Sequence, residues 1–361
     1  MKPGLPNSPT SHRRSPNIQD VAEALGLHKS TVSLGLSGKG NVSEQTRERI
    51  VAVAKEMGYQ PHLLAQRLAT NAGNNQVILC ARTLDVGVTT EKLLLVQKKL
   101  TECGFETPVY SLSSDGQGYE ESQANQMRQL CRQQPRAIVC SAQAIHESTF
   151  PELALYQRNG GIVVAYDVAV SLPCDQVIFD REDNAYQAAH YLIKAGHQDL
   201  GLALSTPRNV SGQLYFNQHA RIRGFQRALE EAGLKLRREW IFEEGTYEMG
   251  GASLAAHFLE LKERPTGLCI VNDYMALAFM SQIIRSGMRI PDDVSVIGHD
   301  NQTIAAFCPV PLTCATHPEV EIAEAVVQLL SERLSGSQEP PRSVMIRGKV
   351  VERESVEAST F

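Results

Sequence analysis

The chain has 361 residues, a net charge of −5 and 42% hydrophobic residues, enough for two or three packed units. No apolar run reaches the ~18 residues that a membrane-spanning helix needs. Residues 1–16 carry Arg13-Arg14 with no apolar stretch behind them, which argues against a secretory signal and makes the cytoplasm the expected compartment.

The eight cysteines are scattered without a C-x-x-C pair, so they read as small apolar fillers, with no zinc or other metal site and no cofactor expected. Charge is unevenly divided. Residues 1–70 hold nine Lys/Arg against five Asp/Glu, which leaves −9 on the remainder. A basic small unit on an acidic body suits phosphate contact by the first.

Residues 1–16, rich in proline and serine, read as a disordered tail. Asn17 then has the place of a helix N-cap, with Asp20 three residues on as its capping-box acid. Ile18, Val21, Ala22 and Leu25 follow at helical spacing, and Gly26 ends this helix where a bend needs positive φ. A second helix is expected from about Lys29 to Leu36, with Val32 and Leu36 inward. Gly35 inside it costs about 1 kcal/mol of helix propensity and predicts early fraying. Two short helices around a glycine turn form a helix-turn-helix, whose second helix enters the DNA major groove. Lys29 can donate to guanine O6/N7, Ser30 to a base edge or phosphate, and Leu34 can pack on a thymine methyl. A two-helix corner of an ordinary core fits the apolar spacing equally well. Ser43 caps a third helix through about Met57, and Gly58-Tyr59-Gln60-Pro61 closes it.

Four stretches resemble the head piece of the lactose/galactose repressor (LacI/GalR) family: Ile18-x-Asp20-Val21-Ala22, Ser30-Thr31-Val32-Ser33, Val42-Ser43-x-x-Thr46-Arg47 and Gly58-Tyr59-x-Pro61-x-x-x-Ala65-x-x-Leu68. The resemblance implies three helices and a hinge helix that forms on the operator. It places Lys29, Ser30 and Leu34 at base-reading positions, with Thr31, Ser33 and Asn41 as further DNA contacts. It places Ala65 in the minor groove and Leu68 as the wedge that kinks the duplex. The expected organisation is a helix-turn-helix domain over 17–60, a hinge helix and linker over 61–75, and an effector domain over 76–361.

From Gln76 onward short apolar runs alternate with helical stretches: strands at 77–81, 106–111, 137–140, 162–166, 175–179, 200–204, 267–271 and 294–298, helices at 91–103, 120–134, 152–159, 184–195, 220–232, 250–261 and 273–286. The alternation predicts parallel, doubly wound α/β sheets, with enough units for two. Arg221-Ile222-Arg223-Gly224-Phe225, Val271-Asn272-Asp273-x-Met275-Ala276 and Ile290 through Asp300 resemble the periplasmic-binding-protein-like effector domain of the same family. That resemblance implies two lobes, 76–179 with 315–336 and 180–314 with 337–361, crossed near residues 179, 314 and 337, with a ligand in the cleft between them. Asp167, Asn272 and Asp300 follow strands, and Arg221 opens a helix. Together they suit a ligand with several hydroxyls, and in sugar-binding members of the family these positions touch the ligand. Tyr247 falls where an aromatic ring stacks on one. His299 reads as a packed histidine. Residues 82–88 lack the family's Asn-Pro-Phe-Phe contact segment.

The function these features predict is regulation of transcription by a homodimer on a palindromic operator in double-stranded DNA, controlled by a small-molecule effector, a sugar first and a purine or nucleoside second. A solute-binding protein would explain the body but not the head. An enzyme would need a constellation that is absent: there is no G-x-G-x-x-G after the first strand, no P-loop and no G-x-S-x-G elbow, so no catalytic residue is expected.

Overall fold

The computed structural model describes residues 16–37, 42–57, 74–82, 87–112, 118–205 and 216–358. The chain divides into two compact units after Asn75.

In the first unit, Asn17 caps α1 (Ile18–Leu25). Its Oδ1 accepts from the amides of Gln19 and Asp20 at 2.7 and 3.2 Å, and Asp20 accepts from the Asn17 amide at 2.7 Å. Three otherwise orphaned donors at the helix end are thereby satisfied. Gly26 takes a φ of 66°, and α2 (Lys29–Ser37) follows. Ser43 caps α3 (Glu44–Glu56) by accepting from the Thr46 amide at 3.3 Å. Val21, Ala22, Val32, Ile50 and Ala54 form the core between the three helices.

Gly35 does not end α2, which continues to Ser37. The glycine is buried, and a Cβ built on it would lie 2.5 Å from Ile50 Cδ1. Its lack of a side chain lets α2 approach α3, so helix propensity gives way to packing.

The second unit holds two six-stranded sheets. Lobe 1 contains β1 (Val77–Ala81), α4 (Val88–Glu102), β2 (Val109–Ser111), α5 (Tyr119–Arg132), β3 (Ala137–Ser141), α6 (Phe150–Arg158), β4 (Ile162–Asp167) and β5 (Asp175–Phe179). Lobe 2 contains α7 (Arg181–Lys194), β6 (Leu200–Ser205), α8 (Phe216–Glu231), β7 (Ile241–Glu244), α9 (Tyr247–Glu260), β8 (Gly267–Ile270), α10 (Asp273–Arg285), β9 (Ser295–Asp300) and β10 (Thr313–Thr316). The chain then returns to lobe 1 as α11 (Glu319–Leu334) and β11 (Ser343–Ile346), and ends in lobe 2 with β12 (Val350–Val351). The strand orders are β11-β5-β4-β3-β1-β2 and β12-β10-β9-β8-β6-β7. Neighbours are parallel except β12, which is antiparallel to β10.

Strand alternation explains the layers. Val77, Leu79 and Ala81 face one side of lobe 1, where α4 and α11 supply Leu93, Val96, Ile322 and Val326. Ile78 and Cys80 face the other, against Met127, Leu130 and Leu153. Each lobe thus has two apolar layers around a sheet buried on both faces.

The last crossing between lobes differs from the expected position. Since β11 pairs with β5 and β12 with β10, the chain passes over at residues 347–349, and 337–346 belong to lobe 1. The three crossings lie together. Asp180 N donates to Ile346 O at 2.9 Å, Thr316 N to Lys349 O at 2.7 Å and Asn184 Nδ2 to Thr316 O at 3.1 Å. No helix among the described residues is long and apolar enough to cross a membrane.

Candidate functional site

On the head unit, α2 turns Val32 fully inward and leaves Lys29, Ser30 and Leu34 exposed, with Thr31 and Ser33 half-buried. A basic group and short hydroxyls therefore share the outward side of the helix's amino end. The His28 ring, absent from the sequence expectations, orients one of them, with Nδ1 2.8 Å from Ser30 Oγ. The expected contacts Asn41, Ala65 and Leu68, with the hinge and the 1–16 tail, fall outside the described residues apart from Pro16.

In the second unit the carboxyl ends of both sheets face one cavity of about 200 Å³. All five expected effector residues line it: Asp167 at the end of β4, Arg221 in α8, Tyr247 at the start of α9, Asn272 after β8 and Asp300 at the end of β9. Asp167 and Asp300 have φ of 94° and 105°, a strained conformation outside glycine that clusters at ligand sites. Asn272 doubles as the N-cap of α10, its Oδ1 accepting from the Met275 amide at 2.8 Å. Tyr247 stands edge-on to Tyr274, with centroids 6.3 Å apart. Gln302 Nε2 of lobe 2 donates to Glu91 Oε2 of lobe 1 at 3.1 Å.

The role expected for Asp167 changes. Its Oδ1 lies 2.8 Å from both Lys92 Nζ and Arg181 Nη2, and Oδ2 accepts from Gln143 Nε2 at 2.9 Å. Arg181 Nη1 also donates to the Asp167 carbonyl at 2.9 Å. The carboxylate is committed to the protein's own donors rather than open to ligand hydroxyls. Burial alone would raise its pKa, but Arg181 and Lys92 hold it well below the usual carboxylate range. Lys92 is lowered by its burial, an effect Asp167 opposes.

The other titratable groups divide by environment. Burial, and then Arg181, brings Arg221 down to about 10, still charged near neutrality. Burial, reinforced by Asp273, raises Asp300 well above the carboxylate range. His317 is pushed down to about 3 by burial and Lys92. His299 falls to about 3 as well, through burial and then Arg221. It is a packed neutral histidine whose Nδ1 donates to Ile270 O at 2.9 Å.

Lys92, Gln143, Arg181 and His317 were not expected at the site. Arg181 and His317 follow the ends of β5 and β10, so the strand-end rule applied to β4, β8 and β9 would have found them. Lys92 precedes Leu93-Leu94-Leu95 in a helix whose apolar side packs on the sheet, and a lysine there signals a buried partner. A wider hollow of 680 Å³ lies at the amino ends of β3 and β4, opposite the cleft, where Arg128 is tied to Glu152. Among the described residues no group of His, Cys, Asp and Glu is arranged to hold a metal.

Comparison with known proteins adds the following. Residues 17–62 match the model of bacterial regulatory proteins of the lacI family, and residues 189–356 that of the periplasmic binding protein-like domain. The HTH-type transcriptional repressor PurR of Aliivibrio salmonicida is 29% identical over 343 residues, covering 94% of this chain and 98% of the relative. A lac repressor dimer bound to operator and the anti-inducer ONPF superposes with a TM-score of 0.76 at 22% identity, over 96% of this chain and all of that one. A complex of the regulator CelR with cellobiose gives 0.66 at 22% identity, over 94% and 99%. At these identities the two structures speak for the fold.

Proposed function

This chain belongs to the lacI family of bacterial regulatory proteins, and from that premise we propose that it acts as a homodimer on a palindromic operator, with a small polyhydroxylated effector of the sugar type bound between its lobes. The family makes it a DNA-binding transcription regulator under effector control. The dimer, the effector class and the residues in contact are the proposal. In it, Lys29, Ser30 and Leu34 read bases from the two recognition helices, half-sites mirror the two-fold axis, and Arg221, Asn272, Asp300 and Tyr247 hold the effector.

The observation that carries the effector reading is the convergence of these four side chains from separate elements on one cavity at the carboxyl ends of both sheets, where ligands of open α/β folds bind. A sugar offers hydroxyls that donate and accept in many directions, which suits a lining of amides, hydroxyls and charged groups. A nucleobase is the second reading, favoured by relatives named PurR. The edge-on Tyr247 and Tyr274 give one aromatic wall rather than two parallel faces, which suits a planar base less well.

Operator fragments selected from random DNA by the full-length protein, followed by fluorescence anisotropy with and without sugars and hypoxanthine, test the proposal. A palindromic consensus and an affinity changed by one of these ligands are expected. An unpaired half-site, or an operator affinity indifferent to every compound while each binds elsewhere, overturns it.

A further inference from the structure

The cleft is unevenly supplied with charge. The acids lining it are Asp167 and Asp300, and the bases include Lys92, Arg181 and Arg221. Lys92 and Arg181 share the one Asp167 carboxylate. Arg221 is only 8% exposed and forms no ion pair or hydrogen bond among the described residues, and its Nε is buried without a partner. Asp300 lines the same cavity but forms no ion pair with Arg221 among the described residues, and burial and then Asp273 raise its pKa.

The unpartnered polar atoms of the lining have the matching polarity. An ammonium only donates, so Lys92 Nζ, 3.1 Å from His317 Nε2, places the proton of this neutral ring on Nδ1. That Nδ1, like Arg181 Nε, is buried without a partner. Beside them Gln218 gives its Nε2 to Ser205 O at 2.6 Å and leaves Oε1 unpartnered. Buried polar groups are almost always satisfied, so a lining with a cationic donor cluster beside an amide acceptor calls for a ligand bearing an acidic group beside a hydroxyl.

From this geometry we infer that the effector is a small hydroxylated anion, its carboxylate or phosphate held by Arg221 with Arg181 and His317, and a hydroxyl held by Gln218. The inference rests on the effector reading of the cleft given above and narrows its chemical class. Arg221 then has a second, measurable property. As a buried cation with no bonded carboxylate among the described residues, it is expected to destabilise the ligand-free protein, its ligand supplying the counter-charge.

The test is thermal shift and calorimetry on the full-length protein near neutral pH with D-gluconate, D-glucuronate, D-glucose 6-phosphate and inorganic phosphate, against D-glucose and hypoxanthine. An acid is expected to bind at least about tenfold more tightly than D-glucose, as a charge-assisted contact implies, and added salt weakens it. The relative strength of the carboxylates and the phosphate ester identifies the group. Arg221→Met is expected to melt higher than the wild type without ligand and to lose the response to the acid, whereas Arg221→Lys keeps part of it. If D-glucose or hypoxanthine binds in an Arg221-dependent way and no acid binds better, the anion class is wrong while the effector cleft stands. If nothing in either set responds to substitution of Arg221, both readings fall. An Arg221→Met protein that melts lower than the wild type also overturns the inference, because it makes the arginine a structural support.

Discussion

Replacing Asp167 with asparagine removes one charge and leaves the volume almost unchanged. In the native protein that charge sits between Lys92 Nζ and Arg181 Nη2, each 2.8 Å from Oδ1, with side chains 1% and 6% exposed. Without it two cations face each other in a site closed to solvent. Breaking a buried pair in this way costs about 3–5 kcal/mol, and a fall in Tm of about 2–4 °C per kcal/mol suits a body of this size. Asp167→Asn is therefore expected to melt about 6–20 °C below the wild type by far-UV circular dichroism. Lys92→Met leaves the Arg181–Asp167 bond in place and should cost clearly less. In the double variant the two losses should sum to less than their separate values, with a coupling of about 0.5–3 kcal/mol. Acid supplies an independent check. Because the folded pKa of Asp167 is depressed, its contribution is present above the unfolded value of about 3.9 and is lost as pH falls through the folded one. Wild type and Asp167→Asn should converge in strong acid. A variant within about 1 kcal/mol of wild type near neutrality would refute the idea that this ion cluster holds lobe 1 to the crossings.

Other substitutions probe separate parts of the molecule. Gly348→Ala puts a Cβ 2.1 Å from the Thr316 carbonyl oxygen at the crossing of the lobes. It should cost at least about 1–3 kcal/mol in urea unfolding, and a neutral result would show that the crossing yields freely. Gly35→Ala should lose head-unit stability through Ile50, and Gly35→Ala/Ile50→Val should regain it. Differential scanning calorimetry that finds the single variant more stable than wild type would mean that helix propensity outweighs the contact. Lys29→Ala is expected to weaken specific operator binding by about 1–3 kcal/mol, seen as a lower affinity in gel shift with nonspecific DNA as reference, and equal losses on both DNAs would make Lys29 a phosphate contact. Asp273 is raised to about 7 by burial, so the folded protein keeps a proton that the unfolded chain releases. Its favourable contribution is lost as pH rises from about 3.9 towards 7. Asp273→Asn keeps an acceptor for the Gln302 amide, now 2.6 Å from Oδ2, and should gain on the wild type across that window. Parallel stability curves would contradict the shift.

The sequence made some features legible because they are local. The Asn17–Asp20 box, the glycine turn and the alternation of strands with helices depend on neighbours along the chain, and each appears where its spacing places it. The five cleft residues were found by their place after strands or in matched motifs, so their convergence follows from topology. Their state of charge was not legible. Asp167 reads as an open carboxylate until Lys92, 75 positions earlier, is seen to reach it. The same holds for Gly35, a weak point by helix propensity that lies against the end of the Ile50 side chain, where a Cβ would have to displace Cδ1. The late crossing at 347–349 was misplaced because β11 and β12 are short edge strands that only their pairing assigns to a lobe.

The three crossings form one ribbon. Arg181 lies just after the first crossing strand and His317 just after the second; Arg181 reaches the Asp167 carboxylate directly, and His317 meets Lys92, which binds the same carboxylate. The charge cluster therefore sits where the chain passes between the two lobes. Arg181 is therefore shared between the join of the lobes and the lining of the cavity, bonded to the side chain and carbonyl of Asp167 and facing the cleft.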